Sequence, residues 1–169
     1  MNNWEGFEKL LEFIKDTSWN SLDKTVKEHA QKCFLDLVGV ICAGAKNNSS
    51  KRAAFYVSKN FPVAEYQATI LSTGEKTSLI GAALANGMAA NALDMDDGYS
   101  LLRGHPGSGF FGALLSAAEC CDCTYGDFLA ALVVGYEISV RQGFAIRDFY
   151  KWDHSTGCYS AFATAASVG

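Results

Sequence analysis

Residues 77–93 read Thr-Ser-Leu-Ile-Gly-Ala-Ala-Leu-Ala-Asn-Gly-Met-Ala-Ala-Asn-Ala-Leu, the longest stretch of the chain without a charged side chain. It falls just short of the roughly 18 apolar residues a membrane span needs, and its Ser, Asn and Gly content argues against one. Small residues let neighbouring backbones come close. The stretch therefore predicts a helix buried on most sides, capped by Thr77 or Ser78 and running to about Ala92. Such a helix needs other helices around it.

The flanking sequence supplies them. Trp4 to Lys15 sets Phe7, Leu10, Leu11 and Ile14 at helical spacing, with charged residues largely on the other side. Ser21 is read as the cap of a second helix whose stripe is Val26, Ala30, Cys33, Phe34, Leu37, Val38, Ile41 and Cys42, ending near Gly44. His29 lies beside that stripe and reads as a surface or boundary histidine. Lys46 to Ser50 is loop-like, and Lys51 to Asn60 is a short helix stopped by Phe61-Pro62. Gln67 to Thr73 is the one β-branched stretch, a short strand or extended link before a turn at Gly74. After residue 93 come a polar loop to Ser108, an apolar helix from about Gly109 to Cys120, and a helix opened by the capping-box spacing of Thr124 and Asp127. That last helix carries Phe128, Leu129, Leu132, Val133, Tyr136, Ile138 and Val140, and another begins near His154. With no repeat and no linker, residues 1–169 read as a single all-α domain of stacked helices with almost no sheet.

Composition agrees. The chain has 169 residues, 49% hydrophobic and 19% charged, which excludes disorder and collagen-like sequence. A chain of this size buries roughly 68–70% of its unfolded surface, so a core is available without disulfide or metal staples. Fourteen Lys plus Arg against eighteen Asp plus Glu, with no basic cluster, exclude nucleic acid as a partner. Residues 1–60 hold nine Lys/Arg and seven Asp/Glu while residues 61–169 hold five and eleven, so the second part is expected to be the more buried. The opening Met-Asn-Asn-Trp-Glu-Gly-Phe-Glu-Lys carries acids where a secretory signal has a basic segment, and the expected location is cytoplasmic. The six cysteines are then expected to be reduced and to pack as small buried hydrophobes. Cys120 to Cys123 gives one C-x-x-C spacing, but a zinc site wants a second pair, and a redox motif wants a βαβ setting.

Polar chemistry concentrates in Leu93 to Gly107, where Asp94, Asp96, Asp97, Arg103 and His105 share fifteen residues between two apolar helices. A loop held by rigid helices is a sound place to present an acid, a base and a cation to a small molecule. Acidic residues in such a place also simply solvate a turn, and His105-Pro106-Gly107 also simply starts the next helix. A calcium loop fails, because its sixth position is Tyr99 where Gly is required and its twelfth is His105 where Glu belongs. A magnesium–phosphate site lacks a Gly-rich lysine loop. His154 stands at the start of the last helix, either as part of a capping segment or as an imidazole held near an anion by that helix's N–H groups.

Several short motifs, in their order and spacing, resemble the MmgE/PrpD family. They are Asn86-Gly87, Asn91-Ala92-Leu93-Asp94-Met95-Asp96-Asp97, His105-Pro106-Gly107, Ala117-Ala118-Glu119, Gly135-Tyr136-Glu137 with Arg141, and His154-Ser155-Thr156-Gly157. The resemblance implies the N-terminal part of a helical domain followed in the family by a smaller α+β domain, homodimeric assembly, and action on small di- and tricarboxylic acids without metal or organic cofactor. It implies Asp94, His105 and His154 as acid–base groups, and Asp97 and Arg103 as substrate-binding groups. The shared chemistry is proton movement at a carbon next to a carboxylate, leading to dehydration, decarboxylation or epimerisation. From His154 to Gly169 there is no Lys, Arg, Asp or Glu, so the helical domain is expected to be incomplete at its C-terminus and the isolated chain impaired. The competing expectation is a non-catalytic helical module that self-associates or binds a partner.

Overall fold

The computed structural model describes residues 5–149 and 156–169. Among them the chain forms seven helices and one two-stranded ribbon: α1 (Glu5–Asp16), α2 (Lys24–Gly44), α3 (Asn48–Asn60), β1 (Gln67–Thr69), β2 (Lys76–Ser78), α4 (Leu79–Asn91), α5 (Ser108–Cys121), α6 (Tyr125–Phe149) and α7 (Gly157–Val168). The mostly helical expectation holds. The β-branched stretch is half of an antiparallel ribbon, with Gln67 opposite Ser78 and a turn at Gly74, whose φ is +74°. Asn86 of α4, fully buried, stitches that ribbon down: its Oδ1 accepts from Leu71 N–H at 2.9 Å and its Nδ2 donates to Thr69 O at 2.9 Å.

Caps decide the boundaries. Ser78 caps α4 by accepting from Gly81 N–H, as expected for one of the two candidates. Ser21 does not cap α2; Asp23 does, accepting from Val26 N–H at 2.9 Å, while Ser21 closes a short 3-10 turn with Ser18. A carboxylate next to the first turn also meets the positive helix end, which favours it over the serine. Asn47 likewise starts α3 three residues before the expected Lys51.

The main core joins Leu37 and Ile41 of α2, Phe110, Phe111 and Leu114 of α5, and Leu129, Leu132 and Ile138 of α6. Its centre is aromatic, with Phe34, Phe111 and Phe128 meeting at tilted or edge-on angles. α4 joins by close approach: a Cβ on Gly112 of α5 would lie 2.6 Å from Ala83 O. Only glycine allows that spacing. Small residues thus face inward, and Ile80, Leu84 and Met88 face outward, at 66%, 43% and 43% exposure. The expectation of a helix buried on most sides holds: the stripe of Ile80, Leu84, Met88 and Asn91 is exposed, and the other nine residues of α4 are buried or half-buried.

Two further expectations change. Leu10, Phe13 and Ile14 pack α1 onto the core, whereas Phe7 and Leu11 stay mostly exposed. None of the cysteines is disulfide-bonded, but only Cys33 and Cys120 are half-buried; the other four lie on exposed helix faces or in the α5–α6 turn. α6 is long and apolar enough to cross a membrane by length and composition, yet it supplies much of the core, as core helices passing that test do.

Candidate functional site

The α4–α5 connection begins with a forced bend. Asp94 has φ 53°, a left-handed conformation that residues with a Cβ rarely take and that tends to accumulate at functional sites. Beyond it, Tyr99 and Gly104 bridge a tight hairpin, with Arg103 (φ 55°) exposed at its tip. Leu102 anchors the hairpin by packing on Gly143 of α6, and Arg147 of the same helix donates to Leu101 O. On the return, Ser139 Oγ donates to Pro106 O at 3.3 Å. The loop is thus fastened to α6 at three points.

His105 comes back between two carboxylates. Its Nε2 lies 3.0 Å from Asp94 Oδ1, and its Nδ1 lies 3.3 Å from Asp96 Oδ2 and 3.3 Å from Asp96 O. A backbone carbonyl only accepts, so this contact is a hydrogen bond in the tautomer that carries its hydrogen on Nδ1. In the neutral ring Nε2 is then the basic nitrogen, and it faces a carboxylate oxygen. The two atoms lie 3.0 Å apart, a distance over which a proton can pass between ring and carboxylate. The two carboxylates differ sharply in setting: the Asp94 side chain is 81% exposed, and that of Asp96 is fully buried. Asn91 Nδ2 donates to both Asp96 oxygens, at 3.2 and 3.4 Å, and His105 N–H donates to Thr156 Oγ1 at 3.3 Å. One ligand atom each from Asp94, Asp96 and His105 lies within 4.8 Å of the others. The ring meets the two carboxylates with different nitrogens, Nε2 towards Asp94 and Nδ1 towards Asp96.

Asp97 turns elsewhere. Its Oδ2 accepts from Gly107 N–H at 3.2 Å, and its Oδ1 is sealed beside the Tyr136 hydroxyl without an aligned hydrogen bond. A Cβ on Gly107 would come within 2.3 Å of that hydroxyl and 2.5 Å of Asp97 Oδ1, so only glycine fits. Burial pushes the Asp97 carboxyl up to about 6; Gly107 N–H and the Tyr136 hydroxyl pull it back, and the charges of Asp96 and Asp36 add to the rise. Burial, then the Asp97 charge, holds the Tyr136 phenol far above its usual range. Burial, with Asp97 and Asp36 nearby, also raises the Cys33 thiol, so it is not an activated nucleophile. These groups line a cavity of about 490 Å³ with His29 and Glu137 at the α2–α6 side. A second cavity of about 410 Å³ is lined by Asn91 and by the first residues of α5 and α7, Ser108, Gly109, Thr156 and Gly157. Among the described residues, neither Gly107 nor Thr156, the residues that precede these helices, caps them with its own side chain.

Of the residues singled out from the sequence, Asp94 and His105 meet, Arg103 stands at the hairpin tip, and Asp97 faces Tyr136. His154 lies outside the described residues; Thr156, two positions along the chain, touches His105. Sequence reasoning passed over Asp96, Asn91 and Thr156 as site residues. The remaining motif points hold the scaffold. Asn86 secures the ribbon, Glu119 accepts from Thr69 N–H at 2.8 Å and from Thr69 Oγ1 at 2.6 Å, Tyr136 packs under Gly107, and Glu137 pairs with Arg141 at 2.7 Å.

No curated protein matches the chain. The MmgE/PrpD N-terminal domain matches residues 8–169, from the first helix through the His105 loop to α7, and the chain belongs to the MmgE/PrpD family.

Proposed function

We propose that this chain is the N-terminal, acid–base-bearing part of a cofactor-independent lyase or isomerase that acts on a small di- or tricarboxylic acid. The reaction is dehydration, decarboxylation or epimerisation through proton transfer at a carbon next to a carboxylate. The observation that carries the reading is the placement of His105 between two carboxylates, with Nε2 3.0 Å from the exposed Asp94 and Nδ1 3.3 Å from the buried Asp96. A base of this kind takes the proton from carbon through Nε2, with Asp94 able to hold or return it, while nearby donors stabilise the charge that builds on the substrate carboxylate. The helix starts of α5 and α7 that line the neighbouring cavity support anion binding beside it, and Arg103 is the candidate cation. His154 is the second imidazole, supported by the contact of Thr156 with His105. Asp97, turned to Gly107 and Tyr136, enters this reading as the residue that shapes the loop. The protein works in the cytoplasm as a homo-oligomer.

A helical interaction module is the competing reading, favoured by the exposed Ile80, Leu84 and Met88 face of α4. Screening the intact protein against methylcitrate, citrate, cis-aconitate and iminodisuccinate separates the two. Turnover of one of them, abolished in His105→Ala, is the expected result. Absence of turnover on all four, with a tight self-association by light scattering, favours the module.

A further inference from the structure

We infer that Asp96 is a positioning residue for His105, one that fixes which ring nitrogen is free to exchange protons, with Asn91 as its clamp. The inference rests on the acid–base reading above and deepens it. Asp96 is the one carboxylate of the loop with a fully buried side chain, and each of its oxygens is engaged. Such a group is costly to bury, and its hydrogen bonds to Asn91 and His105 offset that cost. Both its side chain and its own carbonyl approach the same nitrogen, Nδ1, at 3.3 Å. Two acceptors on one nitrogen hold the ring in a single tautomer and a single plane. The consequence falls on the far nitrogen: Nε2, 3.0 Å from the exposed Asp94 carboxylate, is left as the nitrogen that gains and loses a proton. Free in water, a histidine ring has no such constraint and samples both tautomers.

The arrangement also explains the depth of Asp96. When Nε2 takes a proton the ring becomes a cation, and a carboxylate shielded from water next to Nδ1 stabilises that cation more than an exposed one would. Asp94, mostly exposed and itself a party to the proton, does not fill that role.

The test uses the ring nitrogens as reporters. The chain has three histidines, so His105 is assigned in a ¹⁵N-labelled spectrum by its disappearance in His105→Ala. The wild-type protein, above the pH at which the ring titrates, is expected to show a hydrogen on Nδ1 of His105. Asp96→Ala is expected to lose that preference and to lower kcat on the substrate found in the screen by roughly a hundredfold, with KM changed less than threefold. Asp96→Asn keeps an acceptor without the charge. It should retain the Nδ1 hydrogen and recover part of the rate lost in the alanine variant. A hydrogen on Nε2 in the wild type overturns the inference without any variant being needed. So does an Asp96→Ala protein that keeps both the Nδ1 hydrogen and its kcat. The tautomer needs no substrate to be read. An Nδ1 hydrogen in a protein that turns over nothing sinks the proposed activity and leaves the positioning intact, whereas normal turnover with an indifferent tautomer does the reverse.

Discussion

Asp94 and Asp97 sit three residues apart and carry the same functional group, but the loop delivers them to opposite kinds of place. Asp94 is 81% exposed and faces an imidazole nitrogen across 3.0 Å; Asp97 is packed under Gly107 and Tyr136, where burial lifts its carboxyl to about 6. Asp96, between them, is buried but fully bonded. Local charge density is identical for all three. What separates them is how much water each keeps and how many donors replace the rest. The exposed side of the loop is organised for exchange of protons, and the buried side for holding the loop still.

That contrast is broken most severely by removing the imidazoles. His105→Ala and His154→Ala are each expected to lower kcat by about two to four orders of magnitude in the intact enzyme, with helical content by circular dichroism unchanged. Turnover within threefold of wild type would remove the residue from the mechanism. The corresponding change on the buried side is Asp97→Asn, which should move stability instead. Asp97 has a folded value of about 6 against an ordinary 3.8, so its burial favours the protonated form. The sign follows: its contribution to folding is intact below about 3.8 and is lost as pH rises through about 6. At pH 8 the neutral asparagine relieves up to about 3 kcal/mol, and the advantage shrinks steadily below pH 6. Melting temperatures of both proteins from pH 5 to 8 check this. A gap that does not vary with pH would mean that Asp97 is not buried as a charge.

How far the sequence discloses this contrast depends on the kind of information each part needs. The helices around the 77–93 stretch are legible because apolar spacing is local, and the loop is legible because three carboxylates, an arginine and a histidine crowd between two apolar helices. The Asp94–His105 meeting follows from motif order. The fate of Asp97 does not, because it depends on Tyr136, some forty residues away on α6, and on how closely α6 lies beneath the loop. The misplaced cap at Ser21 is a smaller case: Ser and Asp are both good caps, and the 3-10 turn at Ser18 decides between them. The outward Ile80–Leu84–Met88 stripe is the one open side of a helix buried on most sides, and uniformly apolar residues give no local sign of which side that is.

Gly107 is where the two sides of the loop are joined, so it sharpens the comparison. Gly107→Ala would drive a methyl group into the Tyr136 hydroxyl and Asp97 Oδ1. Neither group is the loose end of a flexible chain. The expected cost is about 1–3 kcal/mol by urea denaturation. Because Gly107 follows His105 by two residues, kcat should fall too, by less than in His105→Ala. A variant as stable as wild type would show that Asp97 and Tyr136 can part freely, and the buried side would lose its claim to hold the loop.

The smallest effect belongs to a carboxylate remote from both sides. Glu119 is partly exposed; burial acts to raise its pKa, but Lys76 and Thr69 together outweigh that and hold it below the usual range. Its sign is therefore opposite to that of Asp97: the contribution is present above the ordinary carboxylate value and is lost as pH falls through the lowered one. Glu119→Gln should cost no more than about 1 kcal/mol near neutrality, since water and salt screen an exposed pair, and the difference should fade in acid. At pH 7, then, neutralising Asp97 stabilises and neutralising Glu119 destabilises, although both remove one negative charge from a chain that is already acidic. If both substitutions stabilised equally, relief of net repulsion would account for them, and the distinction between a carboxylate buried without enough donors and one supplied with them would fail.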